Sequence, residues 1–407
     1  MKRIEVVGMG VGNGDLLPSY KKLISGAEVL VGGRRLLDRA PSSSARQVVI
    51  ESPLTPVMER IREAAQAGKR VVVLADGDPG FFGIGRLLGK TFGREHVRIH
   101  PNMTVLQAAA SRLGMSWQDI KTVSLHGRKD LSPLFRALAF ADRVAVYTDP
   151  ENTPRRIASA MIQRRVDTFE MHVFENMGLE GEREGRYSLD LAEDTDFSLP
   201  NFLLFERIKT PEVTPHVGMD EDQYLHHRGQ ITKKEIRVAG LAALRIRSCH
   251  TVWDLGAGSG SMAVEASLLA TEGRVLAVEK RAGRVEHIRE NIRRTGCYHV
   301  ETVHGKMPDC LSSLPEPDRI FMGGGTGKDT RVLEEAVRRL RPGGRIVLHM
   351  VLLDSLHRTV DLFSAAGWSL AISLVSVARA KTLGKDLRME ALNPVFIVSA
   401  DKPEKEN

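Results

Sequence analysis

Apolar and polar positions in the first half of the chain alternate between two kinds of spacing. Short, nearly continuous apolar runs are typical of strands buried in a parallel sheet, and segments with helical spacing, such as 56–68 and 104–113, separate them. A further strand is predicted at 201–208. This layout predicts an α/β fold with a largely parallel sheet. The other predicted strands lie in RIEVVGMG, AEVLVGG, RVVVLADGDP, RVAVYTD and TFEMHVFE.

A second series of strands and helices follows a proline- and acid-rich stretch at 209–218. Its first helix is predicted at 232–244, where Thr232 is a suitable N-cap and Glu235 would complete a capping box. The strands of this series are predicted in TVWDLG, RVLAVEK, RIVLHMV and PVFIVS.

The stretch between the two series marks a domain boundary. We predict one domain at 1–210, a linker at 211–218 and a second domain at 219–407. The halves lack a close internal repeat, so we expect two different α/β folds joined in one chain.

Composition limits the class of protein. The 407 residues include no apolar run of about 18, so no transmembrane helix is expected, and the first residues lack a signal-peptide pattern. The three cysteines are scattered and no metal-binding spacing occurs, so we expect a cytoplasmic protein without a bound metal. The net charge of +7 favours an anionic partner, either nucleic acid or a polycarboxylate.

A glycine turn, DLGAGSG at 254–260, joins a predicted strand to a predicted helix. Such a turn lets a ligand approach the backbone at the helix N-terminus, and Glu279, which ends the next strand, suits the two hydroxyls of a ribose. NAD-binding domains are one alternative, although Ser261 stands where they carry a third glycine, and a chance glycine turn is another. The combination resembles the class I S-adenosylmethionine (SAM) methyltransferases.

The segment MGGGTGKDT at 322–330 is also rich in glycine. It does not fit a P-loop, because Met322 and Asp329 stand where that motif needs glycine and serine or threonine. We predict a flexible loop over a substrate cleft.

The chain also begins with a glycine turn, VGMGVGNGDLLP at 7–18. Three later segments, ADGDPGFFG, PNMTVLQAAASRLG and VYTDPENTP, place small or turn residues just after strands. In this order they resemble the tetrapyrrole (corrin/porphyrin) methylases, which are class III SAM enzymes. VGGRRLLDRAP and VSLHGR are similar to the branch that acts late in cobalamin synthesis, and the second half, from GQITKKEIR to ALNPVFIV, resembles the partner methylase of that pathway.

The resemblance implies a class III domain of two αβα lobes followed by a Rossmann-like class I domain, with one SAM site in each. In the first half the implied SAM contacts are Asn13, Asp76, Gly77, Asp78, Phe81, Thr104, Val105 and Thr148. In the second half they are Thr232, Gly256, Ala257, Gly258, Ser259, Gly260, Glu279 and Met307.

The implied activity is methyl transfer to carbons 5 and 15 of a polycarboxylate tetrapyrrole, with loss of carbon dioxide from the acetate on carbon 12. Neither nucleic acid nor a membrane is an expected partner, and a homo-oligomer is expected because class III methylases commonly form dimers. A class III RNA methyltransferase and a non-catalytic SAM-binding regulator are the alternatives. The basic run ARAKTLGKDLR is either a clamp for substrate carboxylates or a solvated loop, and its candidate residues are Arg379, Lys381, Lys385 and Arg388.

Overall fold

The computed structural model describes residues 1–12, 16–323 and 330–404. The chain divides into two compact units, each of them α/β. Within the described ranges, no helix combines the length and the apolar character needed to cross a bilayer. The first unit comprises residues 1–129, 142–159 and 170–206, and the second comprises 130–141, 160–169 and 207–407.

Five parallel strands form the first sheet, in the order β3-β2-β4-β1-β5. Helices cover both faces, and the three central strands, 4–8, 29–32 and 71–75, are largely apolar, as the sequence predicts. The two edge strands, 46–49 and 97–100, carry polar residues. The strands are β1 (Ile4–Gly8), β2 (Val29–Gly32), β3 (Arg46–Val49), β4 (Val71–Ala75) and β5 (Val97–His100). The helices are α1 (Pro18–Ser25), α2 (Arg34–Arg39), α3 (Thr55–Gln66), α4 (Gly85–Phe92) and α5 (Val105–Arg112).

The second sheet is mixed, in the order β6-β7-β10-β8-β9. The prediction of a largely parallel sheet is correct for the first sheet and wrong here, because β10 runs antiparallel to β7 and β8 forms an antiparallel pair with β9. The strands are β6 (Lys121–Ser124), β7 (Arg143–Tyr147), β8 (Phe169–Glu175), β9 (Arg183–Tyr187) and β10 (Asn201–Arg207). The helices that follow β6 are α6 (Ser132–Phe140), α7 (Pro154–Gln163) and α8 (Leu189–Glu193).

Seven strands form the third sheet, in the order β13-β12-β11-β14-β15-β19-β16. The strand order reverses between β11 and β14, and an open α/β sheet binds ligands beside the carboxyl ends of its strands at such a point. The strands are β11 (Thr251–Leu255), β12 (Arg274–Glu279), β13 (Val300–His304), β14 (Arg319–Gly323), β15 (Arg345–Met350), β16 (Ser369–Val375) and β19 (Val395–Asp401). The helices are α9 (Lys234–Leu244), α10 (Ser261–Ser267), α11 (Ala282–Thr295), α12 (Arg331–Arg339) and α13 (Leu353–Ala365).

The start of α9 differs from the prediction. The helix begins at Lys234, its N-cap is Lys233, and the N-cap side chain makes no capping hydrogen bond, so the predicted capping box of Thr232 and Glu235 is wrong. The Glu235 carboxylate instead accepts two hydrogen bonds from the Arg379 guanidinium, at 3.0 and 2.6 Å. A charged partner from a distant segment replaces the local capping interaction.

The basic run ARAKTLGKDLR is exposed to solvent, as one of its two interpretations expects, but it forms a β-hairpin and not a loop. Strands β17 (Ala378–Leu383) and β18 (Asp386–Ala391) form an antiparallel pair. Gly384 turns the chain between them with a φ of 63°, a conformation that favours glycine. Side chains on this hairpin are exposed along nearly its whole length. Its apolar residues are therefore not part of the hydrophobic core of the unit.

Candidate active sites

The first unit contains a cavity of about 490 Å³ beside the carboxyl ends of β1, β4 and β7. Gly10 and Gly77 line this cavity and form an isolated antiparallel β-bridge, in which Gly77 N donates to Gly10 O at 3.2 Å. Gly77 has a φ of 54°, and a Cβ at this position would lie 3.4 Å from the Thr104 backbone. Backbone therefore lies open to a ligand here, as the sequence predicts.

Seven residues predicted to contact SAM line this one cavity, although they come from three separate segments. Asn13, the eighth, lies outside the described residues. The seven are Asp76, Gly77, Asp78, Phe81, Thr104, Val105 and Thr148.

Local hydrogen bonds hold these residues in place. The Thr104 hydroxyl accepts from Gln107 N at 3.2 Å and Gln107 Oε1 accepts from Thr104 N at 2.9 Å, which forms a capping box at the start of α5. The Thr148 hydroxyl donates to Asn201 Oδ1 at 2.7 Å. The side chains at this wall are therefore fixed before any ligand arrives.

Two arginines of α2, Arg35 and Arg39, also line the cavity, together with His126. Arg35 donates to Asp76 Oδ1 at 2.7 Å. The sequence analysis missed these cationic groups, although the spacing of four residues, which places both arginines on one helix face, was a signal that could have found them.

Tyr147 and Asp149 add two groups with shifted acidity to the cavity wall. Burial raises the pKa of the Tyr147 hydroxyl, so it stays protonated at neutral pH. For Asp149, burial acts to raise the pKa but backbone hydrogen bonds from Asn152 and Gly127 outweigh it, so the pKa is lowered. This wall therefore offers a neutral phenol beside a carboxylate.

The second unit contains a cavity of about 1010 Å³ beside the carboxyl ends of β11, β14 and β15, at the reversal of strand order. The glycine turn that follows β11 forms part of its wall, and Gly256 and Gly258 have φ of 77° and 59°. Five of the residues predicted to contact SAM line this cavity. They are Thr232, Gly256, Ala257, Gly258 and Ser259.

Three others of the predicted set are not among the lining residues. Gly260 packs against Ile288, with a φ of 76°. Glu279 is turned to the backbone, where its carboxylate accepts from Gly258 N at 3.1 Å and Lys280 N at 3.0 Å. Met307 packs against the hydrophobic core.

Asp254, at the end of β11, is a buried carboxyl group in the wall of the second cavity. Burial raises its pKa to about 7, a hydrogen bond from Ala263 N at 3.1 Å opposes the shift, and the charge of Glu279 adds to it. Asp254 is therefore close to half protonated at neutral pH, unlike an ordinary aspartate.

His349, on β15, lines the same cavity and was missed by the sequence analysis. It lies within an apolar strand, and nothing in the local sequence distinguishes it from a core histidine. Burial lowers its pKa to about 4, so the imidazole is neutral at pH 7.

The four residues of the predicted carboxylate clamp do not gather at the second cavity, whose described lining includes none of them. Arg379 is held by Glu221 as well as Glu235, with contacts of 2.7 and 2.6 Å, and so it serves as a structural link. Lys381 and Arg388 lie beside Glu390, at 3.0 and 3.9 Å, and Lys385 lies at the exposed tip of the hairpin. The hairpin meets the cavity wall only at its end, Ala391.

Metal ligation finds no support in the described ranges, where no group of three His, Cys, Asp or Glu side chains is placed to hold an ion. A nucleoside ligand such as SAM fits better. Both cavities present bare glycine backbone at the ends of parallel strands, and in the second a buried carboxylate, Glu279, braces the turn. An α/β sheet with a glycine-lined cavity at the carboxyl ends of its strands is typical of methyltransferases that use SAM.

Comparison with known proteins gives the same class for each half. The family model for tetrapyrrole (corrin/porphyrin) methylases matches residues 3–192. The model for a precorrin methyltransferase domain matches residues 223–402. The chain is thus a fused pair of SAM-dependent methyltransferases.

Full-length relatives have the same fused architecture. A precorrin-6Y C(5,15)-methyltransferase [decarboxylating] of Sinorhizobium sp is 33% identical over 94% of this chain and 92% of its own length. This chain belongs to the family of precorrin-6Y C(5,15)-methyltransferases (decarboxylating).

Two shorter proteins match about half of the chain. A probable cobalt-precorrin-6B C(15)-methyltransferase (decarboxylating) of Saccharolobus solfataricus is 35% identical over 42% of this chain and 89% of its own length. A crystal structure described as precorrin-6Y C5,15-methyltransferase of Geobacter metallireducens is 36% identical and covers 46% of this chain and 98% of that one, with a TM-score of 0.44. The names of the Sinorhizobium sp and Saccharolobus solfataricus relatives give no support to the RNA-methyltransferase alternative.

Proposed function

We propose that this chain binds two SAM molecules and methylates a precorrin at carbon 5 in its first half and at carbon 15 in its second half, with loss of carbon dioxide from the carbon-12 acetate. The observation that carries this proposal is the presence of two separate cavities, each at a glycine turn. Seven predicted contacts line the first and five line the second.

In the first cavity, the backbone around Gly77 and the side chains of Asp76, Asp78 and Thr104 would hold the cofactor. In the second, the turn from Gly256 to Ser259 would do so. Glu279 would act mainly by fixing this turn, because it already accepts a hydrogen bond from Gly258 N. Asn13, Gly260 and Met307 remain proposed contacts of SAM.

SAM supplies an electrophilic methyl group in such a reaction. An electron-rich ring carbon can attack it without a strong base, so what the protein must supply is a dry cleft that holds the two reactants in line. Positioning of this kind is worth roughly 7–11 kcal/mol of the barrier. The apolar walls of both cavities, which include Phe81 in the first and Met262 in the second, suit this role.

The second half is the proposed site of decarboxylation. The stand-alone relative of Saccharolobus solfataricus carries both C(15)-methyltransferase and decarboxylating in its name and matches 42% of this chain. That share is close to the length of the precorrin methyltransferase domain, 223–402. One cavity would then hold carbon 15 and the neighbouring carbon-12 acetate.

Carboxylates of the tetrapyrrole would be bound by arginines in the first half. Arg35 and Arg39 line the first cavity and carry charge that suits acetates and propionates. For the hairpin, we propose carboxylate binding by the exposed Lys381, Lys385 and Arg388. Arg379 is left out, because two glutamates hold its guanidinium from both sides of the fork.

We further propose that copies of this chain associate through the hairpin β17–β18 and the neighbouring edge strand β16. Leu387 and Met389 are 72% and 67% exposed, and Leu374 on β16 is 56% exposed. A sheet edge that combines free backbone groups with apolar side chains is a surface for pairing with a like edge. Sedimentation of the chain with Leu387→Asp and Met389→Asp, compared with the unchanged chain, tests this, and an unchanged molecular mass contradicts it.

The central experiment uses the intact chain with SAM and a precorrin-6Y substrate, followed by mass spectrometry. We expect two methyl groups gained and one carbon dioxide lost. Calorimetric titration with SAM should give two sites per chain. A single SAM site, or no change in the tetrapyrrole, would overturn the proposal.

A further inference from the structure

His349 lies in the wall of the second cavity, and neither of its ring nitrogens has a hydrogen-bond partner among the described residues. The residue is only 7% exposed, and both nitrogens are shielded from solvent. A buried polar atom without a partner costs free energy of folding, and an apolar side chain would avoid that cost. The missing partner therefore points to a ligand.

The surroundings of the imidazole are apolar and shaped to hold it. The Phe321 ring meets it edge-on, with 4.7 Å between ring centroids and an interplanar angle of 84°. Gly240 of α9 also packs against the imidazole, and a Cβ there would lie 2.4 Å from His349 Nε2 and 3.3 Å from the Met262 methyl carbon. A glycine at this position of the helix is what leaves room for the ring.

We propose that His349 binds the carboxylate that the substrate loses as carbon dioxide. The inference rests on the proposed assignment of decarboxylation to the second half. A neutral imidazole N–H donates one hydrogen bond to this carboxylate and orients the carbon–carboxyl bond. Phe321 and Met262 keep water away from it.

The reaction balances without a further reagent. The bond between the acetate carbon and the carboxyl group breaks, its electron pair enters the conjugated macrocycle, and carbon dioxide leaves. After carbon dioxide has left, water that enters the vacated space gives a proton to the exocyclic carbon, and nothing is oxidised or reduced. A neutral donor suits this step, because a cation would stabilise the carboxylate more than the neutral product. The apolar wall acts in the same direction, since burial disfavours the charged reactant.

The test uses the full-length chain with SAM and a precorrin-6Y substrate, and mass spectrometry measures the ratio of decarboxylated product to methylated product that retains the carboxyl group. We expect His349→Phe and His349→Asn to lower this ratio roughly 10- to 150-fold. Gly240→Ala should lower it as well, by displacing the ring. SAM affinity should be unchanged in the two His349 variants.

His299→Phe is the matched control. His299 is also buried, at 3% exposure, its Nδ1 has no partner in the part of the chain that the structure describes, and it is not among the residues that line the cavity. We expect this variant to keep the ratio of the unchanged chain even if its stability falls.

The outcomes separate this inference from the proposed function. If all three test variants keep the normal product ratio, His349 does not bind the departing carboxylate, and an equal fall in both products has the same meaning. Gly258→Val tests the assignment of the half, because it blocks the glycine turn. If that variant loses carbon-15 methylation but still releases carbon dioxide, the proposed function is wrong on this point. If it loses both while the His349 variants keep the normal ratio, only the present inference is wrong.

Discussion

The Arg237 guanidinium and the Glu265 carboxylate form an ion pair, 2.6 Å from Nε to Oε1, in which neither side chain has any exposure to solvent. Glu265 also accepts from Gly218 N at 2.7 Å and from the Tyr224 hydroxyl at 3.1 Å. Arg237 in turn donates to the Thr232 carbonyl at 2.5 Å. The pair thus ties the segment that precedes α9, including a residue of the second cavity, to the body of the unit.

Removal of one partner of this pair should be costly. We expect Glu265→Ala to lower the free energy of unfolding of the second unit by about 3–5 kcal/mol, because it leaves the Arg237 charge buried and unpaired. Denaturant unfolding measures the change. Glu335→Ala is the control, since Glu335 pairs with the exposed Arg338 and should contribute less than about 1 kcal/mol. Similar losses in the two variants would contradict the argument.

Asp254 predicts a pH dependence with a definite sign. Its pKa is raised by burial to about 7, so between about pH 4 and that value the folded unit holds a proton that the unfolded chain has released. This group therefore makes the free energy of unfolding fall as pH rises, by up to about 1.4 kcal/mol per pH unit. Asp254→Asn should flatten the profile between about pH 5 and about pH 7. Identical slopes for both chains would exclude the shifted pKa.

Buried histidines act with the opposite sign at lower pH. Burial lowers the pKa of His299 to about 4, so the unfolded chain binds a proton there before the folded one does. The contribution of the neutral His299 ring to the free energy of unfolding is fully present above about pH 6.5 and is lost as pH falls toward about 4. His299→Phe should reduce acid destabilisation, measured by thermal unfolding from about pH 4 to about pH 7. If the melting temperature of the variant falls with pH as steeply as that of the unchanged chain, the His299 ring is protonated in the folded unit.

Substitution in one glycine turn should abolish SAM binding in that half of the chain only. A side chain at Gly77 or Gly258 faces a left-handed backbone conformation and a cavity wall, so each valine substitution should remove one of two SAM sites in a calorimetric titration. Gly68→Val and Gly367→Val are the controls for backbone strain. Both have left-handed φ, and neither has atoms within 4 Å of an added Cβ. Loss of both SAM sites from a single cavity substitution would contradict two separate sites.

Arg35 and Arg39 should determine affinity for the tetrapyrrole in the first half. Each Arg→Ala substitution should raise the KM for carbon-5 methylation roughly 10- to 150-fold, because a hydrogen bond to a charged group is lost. Higher salt should weaken binding in the unchanged chain more than in the variants. Arg34→Ala serves as the control, since Arg34 is 75% exposed and is not a lining residue. An equal effect at Arg34 would indicate general electrostatics rather than a binding site.

Sequence reasoning located the parts of both cavities that depend on local patterns. Gly77 and Gly258 mark sharp turns directly after apolar strands, and such turns can be read from neighbouring residues. The same reasoning missed Arg35: its spacing from Arg39 marks a shared helix face, but the packing of α2 decides that this face meets the cavity. It also missed His349, whose role depends on Gly240, more than a hundred positions earlier in the chain.

The hairpin was misinterpreted for a related reason. A charge-rich run predicts exposure, but it does not reveal that Arg379 meets two carboxylates 144 and 158 positions away in sequence. Once Glu235 is drawn to Arg379, the local capping box at α9 no longer forms. Pairings over such distances follow from the tertiary fold and leave no local signal.

The link from Arg379 to Glu221 and Glu235 has a consequence for regulation. It joins the exposed hairpin to the segment that contains Thr232, a residue of the second cavity. Association of copies through the hairpin would then be thermodynamically coupled to cofactor binding. Such coupling is reciprocal, so whatever factor assembly imposes on the affinity for SAM, SAM would impose the same factor on assembly.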